Sequence, residues 1–257
     1  MPPSTASNSM PSPPSRQAKR SPSTTSTTLP KSSEGIRSDP MNTTTPPPRA
    51  LLLVAPGCPH CASLLELLCQ EVKGGSLARL EVANIASDPE PARQRGVRSV
   101  PWLELDGLAF EGSMTPGELR EWLSFPPEAR LERWMEKGLK EGRMRQVETL
   151  VRERPEILDL LLGLLEREEA AVSIRLGAMA ILEEAAGGGA LSRLVPRLGA
   201  IATNGGTAAR VDACYLLGLT GAEEARPWLE SCLGDENPEL REVAREALAT
   251  LGGEPSE

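Results

Sequence analysis

The sequence predicts an α/β domain followed by an all-α stack of helical repeats, with a disordered tail ahead of both. Three observations carry this. Residues 50–125 alternate short apolar runs with amphipathic stretches in the order β-α-β-α-β-β-α. From Pro127 onward only helical periodicity remains, punctuated by glycine and proline. The 257 residues include two Phe, one Tyr and four Trp, so the core must be built mainly from Leu, Ala and Val. That composition suits helix packing better than a β-sandwich.

Residues 1–48 are rich in Pro, Ser, Thr and Asn and hold too little apolar surface to offset their ordering entropy. They are expected to be a disordered tail. The N-terminus has no apolar segment of the kind that marks a secretory signal. Its Ser/Thr-rich start imitates a transit peptide, but its proline density fits no amphipathic helix. Met1 and Met41 both remain open as the true start.

The domain at 49–125 begins with an apolar run, Ala50-Leu51-Leu52-Leu53-Val54-Ala55, long enough for a buried strand and ended by Pro56-Gly57. A helix follows from near Cys58. Its apolar positions are Cys61, Leu64, Leu65, Leu68, Cys69 and Val72, and Gly74-Gly75 closes it. Residues 80–85 read as a second strand and 89–95 as a short helix. Strands at 102–105 and 108–110 flank Asp106-Gly107, a hairpin signal. Thr115 caps a last helix that turns Leu119, Trp122 and Leu123 inward.

Residues 127–252 carry a weak internal repeat. With Arg175, Arg210 and Arg241 aligned, Ala178, Ala213 and Ala244 fall in register, as do Leu182, Leu217 and Leu248. The period of about 31 to 35 residues fits a solenoid of helical hairpins. The arginines read as structural residues of the repeat helices. A curved stack of antiparallel helix pairs is expected, capped by the first domain. The linker at 124–127 is too short and stiff for free tumbling, so Trp134 and Leu131 are expected to dock the two parts.

The chemistry lies in Gly57-Cys58-Pro59-His60-Cys61. A thiol at a helix N-terminus meets unpaired N–H groups and the positive end of the macrodipole, both of which favour thiolate. Pro59 falls in the first turn, where its missing N–H costs nothing. His60 offers a hydrogen bond or, protonated, a positive charge beside the sulfur. Cys61 belongs to the apolar stripe. Cys58 is therefore the candidate nucleophile and Cys61 the resolving thiol. Downstream, Val100-Pro101 is an X-Pro pair able to be cis. A cis-proline loop opposite the cysteine tip would offer its preceding backbone to an extended substrate strand, making Val100 and Pro101 candidate substrate-binding residues.

Zinc is the competing reading of Cys-x-x-Cys, but a tetrahedral site wants four ligands and the single histidine lies inside the motif. No metal and no cofactor are expected. Cys69 is expected to be a small buried apolar residue. Cys214 and Cys232 also fall on apolar helix faces, and a disulfide between them is one option.

On these motifs residues 50–125 resemble the thioredoxin superfamily. The resemblance rests on Cys58-Pro59-His60-Cys61, Val100-Pro101, and Phe110-Glu111-Gly112-Ser113 leading to Gly117-Glu118-Leu119 in the last helix. The Cys-Pro-His-Cys spelling resembles bacterial periplasmic disulfide oxidases, in which it accompanies a stabilised thiolate and an oxidising potential. Gly57 stands where ordinary thioredoxins hold Trp, and Leu52 where they hold a buried Asp. The helical insertion of the periplasmic oxidases and the glutathione-site pattern of glutaredoxins are absent. Residues from about 169 to 252 resemble HEAT-like repeats of the PBS-lyase type, best at Asp235–Gly252.

These resemblances imply a protein thiol–disulfide oxidoreductase acting through Cys58 and Cys61 on a protein client that bears a disulfide or dithiol. The repeats would bind a protein partner and position the client. The rival is a non-enzymatic HEAT-type adaptor whose first domain is a redox sensor or binding module. The net charge of −8 argues against nucleic acid and acidic membranes as partners. With no apolar run of about 18 residues for a spanning helix, a reducing cytoplasm is the expected location.

Overall fold

Leu51, Leu52 and Leu53 lie near the centre of a strand whose both faces are covered, which is why the run is continuously apolar rather than alternating. The computed structural model describes residues 46–167 and 169–251. Apart from residues 46–48, the segment expected to be a tail lies outside the described residues. Pro48, the last of that segment, is buried, and its carbonyl accepts the Ala78 N–H at 2.8 Å.

The first part comprises β1 (Arg49–Val54), α1 (Pro59–Gly74), β2 (Arg79–Asn84), α2 (Glu90–Gln94), β3 (Trp102–Leu105), β4 (Leu108–Glu111) and α3 (Pro116–Ser124). The four strands order as β2-β1-β3-β4. β1 runs parallel to β2 and antiparallel to β3, and β3 is antiparallel to β4, so the sheet is mixed. Ala50, Leu52, Leu103, Leu105 and Phe110 share a core with Leu64 and Leu68 of α1 and Leu119 and Trp122 of α3. Leu53 and Trp102 form a smaller cluster with Ala92 of α2 on the opposite face.

Local signals place the element ends. Asp106 (φ 49) and Gly107 (φ 86) both adopt the left-handed conformation that a tight two-residue hairpin requires. Thr115 and Glu118 close a reciprocal capping box on α3. α1 departs from expectation at its edge. Cys69 is exposed and Val72 is 37% exposed. The buried stripe is narrower than the apolar pattern: Cys61, Leu64 and Leu68 reach the core, while Cys69 sits about 100° further around the helix.

Among the described residues the second part is helical: α4 (Pro127–Lys140), α5 (Met144–Glu153), α6 (Leu158–Leu165), α7 (Val172–Gly187), α8 (Val195–Asn204), α9 (Thr207–Leu219), α10 (Arg226–Cys232) and α11 (Pro238–Leu251). α6 packs on α7, α8 on α9 and α10 on α11, while α4, α7, α9 and α11 touch in succession. A short 3-10 turn precedes α6, α8 and α10 alike, at Pro155–Ile157, Ser192–Leu194 and Glu223–Ala225.

The aligned Ala178, Ala213 and Ala244 are all buried, as are Leu182 and Leu217. Leu248, in the last described helix, is only half-buried. The aligned arginines tie neighbouring elements: Arg175 pairs with Asp212, Arg210 with Asp235, and Arg241 donates to the Asp235 carbonyl. No helix among the described residues is long and apolar enough to cross a membrane.

The two parts share one continuous core, running from Leu52 through Leu131, Trp134 and Met135 to Ala247. Trp134 is buried and its Nε1–H donates to the Ala109 carbonyl of β4 at 2.8 Å. Leu131 is buried beside it in α4. A second clasp was not foreseen. Arg130 is only 2% exposed. Its guanidinium donates to Trp122 O (3.0 Å), Phe125 O (2.8 Å) and Asp106 Oδ2 (2.8 Å). It thereby satisfies carbonyls left over at the end of α3 and binds the hairpin turn to α4.

Candidate functional site

The site stands where β1 gives way to α1. Gly57 has φ +73, a conformation that L side chains rarely adopt, so the chain turns here at a residue without Cβ. Cys58 follows in extended conformation as the N-cap of α1, and Pro59 opens the helix. The Cys58 sulfur accepts the Cys61 backbone N–H at 3.2 Å. It thus occupies the place of a capping oxygen, where an N-terminal N–H and the macrodipole both stabilise negative charge. The donor to the sulfur is one of the backbone N–H groups expected at the helix N-terminus, rather than the His60 side chain, the other candidate. His60 and Pro59 are exposed.

Cys61 lies one turn below, 3% exposed, at the top of the buried stripe of α1. Burial pushes its thiol up from the ordinary range, and its hydrogen bond with Cys58 adds to the effect. Cys58 is half-buried and so the more accessible of the two.

The fold brings the third element to this tip. The Val100–Pro101 peptide bond is cis. The Val100 carbonyl stands 4.0 Å from the Cys58 sulfur across 42 residues of sequence. Val100 is half-buried and Pro101 buried, and the Pro101 carbonyl is taken by the Gly112 N–H at 2.9 Å. Cys58, Cys61, Val100 and Pro101 therefore converge, with His60 at the rim. Leu52 is fully buried in the face of the sheet that α1 and α3 cover, so an aliphatic side chain stands at that place in the core.

Other features lie apart from this tip. A recess of about 420 Å³ opens between the first part and α5, lined by Trp102, Glu111, Trp134, Arg145 and Thr149. It does not include either cysteine. Among the described residues no group of three or more His, Cys, Asp or Glu side chains has metal-binding proximity.

The pH dependence of Cys61 follows from its burial. In a Cys58→Ser variant the first cause of the shift, desolvation, persists. Alkylation of Cys61 is then expected to reach half its limiting rate above pH 8.5, the value of about 8.5 being that of a free thiol. A midpoint below that value would show Cys61 to be an activated thiol and reverse the two roles.

A comparison with curated proteins gives no match to the chain. Residues 50–124 match the family model described as a thioredoxin domain. This stretch, with its four-stranded mixed sheet and covering helices, is a thioredoxin-like domain, followed here by a helical C-terminal region.

Proposed function

We propose that the chain is a protein thiol–disulfide oxidoreductase whose nucleophile is Cys58 and whose resolving thiol is Cys61. The observation that carries this is the position of the Cys58 sulfur as N-cap of α1, hydrogen-bonded by the Cys61 N–H and half-open to solvent, with the second thiol one turn beneath it.

In the reducing direction the Cys58 thiolate attacks one sulfur of a client disulfide. The client S–S bond breaks and one client thiolate leaves. Cys61 then gives up its proton and attacks the Cys58 sulfur, which releases the second client thiolate. The client gains two electrons and the Cys58–Cys61 pair becomes a disulfide, to be reduced again by a small thiol. The oxidising direction runs through the same steps reversed. The Val100 backbone, whose carbonyl stands beside the Cys58 sulfur, suits an extended client strand at this tip, next to Pro101.

The helices α6 to α11 read as HEAT-like repeats, since a 3-10 turn and two helices recur and the aligned arginines bridge successive pairs. Repeats docked against the redox domain through Trp134 and Arg130 would hold a protein client at fixed distance from Cys58, raising its effective concentration. A reducing cytoplasm is the compartment in which such a dithiol turns over. The adaptor reading is favoured by one observation: Val172 and Leu176 on α7 are 74% and 66% exposed, as expected of a partner-binding face.

A trap separates the two. In a Cys69→Ser background, which removes the other exposed thiol, Cys61→Ser is incubated with a peptide carrying one disulfide. A stable mixed disulfide on Cys58 is expected, and Cys58→Ser should form none. Absence of the Cys58 adduct would leave the adaptor reading in possession.

A further inference from the structure

Between Arg175 and Glu183, α7 holds no polar side chain, so for two turns it is apolar all the way round, the pattern of a helix covered on every side. Only part of it is covered. Ile174, Ala178, Ile181 and Leu182 are buried, whereas Val172 is 74% and Leu176 66% exposed and Met179 is half-buried. Val172, Leu176 and Met179 recur at i, i+4 and i+7, a second apolar stripe on the side away from the core. α9 repeats the arrangement. Ala208, Val211 and Tyr215 recur at i, i+3 and i+7 and are exposed, half-buried and 42% exposed in turn, while Ala209, Ala213 and Leu217 are buried. The other large exposed apolar residues, Val72, Val82 and Leu233, stand singly on other elements.

The two stripes join. Arg175 of α7 pairs with Asp212 of α9 at 2.5 Å. Each stands at the boundary of its helix's buried arc: Ile174 beside Arg175 and Ala213 beside Asp212 are buried, while Leu176 and Val211 on their other sides are not. The buried residues of both helices belong to one core, so both exposed arcs look outward on the same side. α4 and α11 close in along the two edges. A Cβ added at Gly177 would stand 2.8 Å from Leu139 of α4, and one added at Gly218 would stand 2.7 Å from Ala247 of α11. Among the described residues the charges around this strip are mainly acidic. Glu183 ends the α7 stripe at i+11 from Val172 and is exposed. On α11, exposed Glu239 and Glu246 lie about 80–100° round the helix from Ala247, on the flank away from buried Leu240 and Ala244. At the α4 edge, Arg167 is shared by Glu132 and Glu136, and Lys140 lines the same recess as Glu136 and Arg167. Carboxylates thus outnumber cations around an apolar centre.

We propose that this strip seats a basic amphipathic helix of a partner protein, its apolar side chains set between α7 and α9 and its lysines or arginines turned to Glu183, Glu239 and Glu246. The proposal rests on the reading that the helical region engages a protein partner, and it does not need the exchange at Cys58. A helix fits the dimensions. The stripe from Val172 to Glu183 runs about 16 Å at 1.5 Å per residue, or three turns of a helix laid along it. The groove between two packed helices takes the side-chain ridge of a third. An apolar centre with a charged rim is the usual anatomy of an interface, and anchors at helical spacing are how a groove reads a helix. The acidic rim selects the sign, because an acidic helix would set like charges against Glu183 and Glu246.

The probe is a fluorescein-labelled leucine–lysine peptide of about 16 residues, with leucines at i, i+3, i+4 and i+7, titrated with the full chain and followed by anisotropy. One comparison peptide carries glutamate for every lysine, and another has the same composition in scrambled order. The leucine–lysine peptide is expected to bind at one per chain, at least about tenfold tighter than either. Leu176→Lys, at a position too exposed to endanger the fold, should weaken binding at least about tenfold, the loss of a central anchor. Glu183→Lys with Glu246→Lys should weaken it about fivefold. Val82→Lys, at an exposed apolar residue of β2, should leave it within about twofold. Circular dichroism checks that each variant is folded. Peptide binding that ignores Leu176→Lys would overturn the proposed surface while leaving the partner reading in place. Binding of the glutamate peptide as tight as that of the lysine peptide would overturn the chemistry proposed for the partner. No binding of any peptide would remove both the surface and the partner reading for such helices, whatever the Cys58 trap shows. A parent chain that doubles its mass in light scattering, when Leu176→Lys does not, would make the strip a contact between two copies and overturn the proposal as well.

Discussion

Replacing Cys58 by serine is expected to lower the rate of exchange with a peptide disulfide by on the order of 1,000-fold or more, since the proposed attacking group is removed outright. No other thiol in the domain can take its place. Cys61 is buried and its thiol is pushed up, so little thiolate is present near neutral pH. Cys69 is exposed but stands within α1, more than two turns beyond the N-terminal N–H groups. Cys69→Ser should therefore leave the rate within about twofold of the parent, an exposed residue away from special features being a mild site. Comparable losses in the two variants would show that exchange is a property of any open thiol on this chain and not of the N-cap geometry.

Arg130→Met is expected to destabilise the fold by about 1–3 kcal/mol, the range for leaving a buried acceptor without its donor, since the charge partner Asp106 is 40% exposed and regains water. Methionine fills much of the volume, so the loss reports on polar atoms. Trp122 O and Phe125 O would lose their donor at the end of α3, and Asp106 would keep only the Arg49 N–H at 2.9 Å. Arg130→Lys should recover only part, because an ammonium lacks the planar fork that reaches three divergent acceptors. Urea denaturation followed by both tryptophan fluorescence and helical circular dichroism measures it. A change below about 0.5 kcal/mol would mean that the clasp is dispensable and that apolar packing around Trp134 alone joins the parts.

Much of the thioredoxin-like domain was legible because its signals are local. An apolar run, Asp106-Gly107, and Thr115 three residues before Glu118 each specify a conformation without reference to distant chain. Trp134 was legible as a docking residue because a large aromatic just after a stiff linker has few other places to be. Arg130 was not, because an arginine in the first turn of a charged helix reads as solvated; only the free carbonyls of α3 and the turn at Asp106 explain its burial. The same holds for the sulfur's partners. The motif placed Cys58 at a helix tip, but which donor meets it depends on capping geometry, and the approach of the Val100 carbonyl depends on the sheet. Cys69 was misjudged because periodicity marks the apolar arc of α1 without showing how much of that arc the sheet covers.

The most direct test of the central claim is the redox equilibrium of Cys58 and Cys61, read by thiol trapping and peptide mapping across a series of glutathione buffers. The account predicts one reversible two-electron transition in which Cys58 and Cys61 become linked to each other. Because the Cys58 sulfur is the N-cap of α1 and accepts the Cys61 N–H, an interaction that favours the reduced form, the midpoint should lie above the value of about −270 mV typical of thioredoxin. Two thiols that stay unlinked at every ratio, or a midpoint well below about −270 mV, would contradict it.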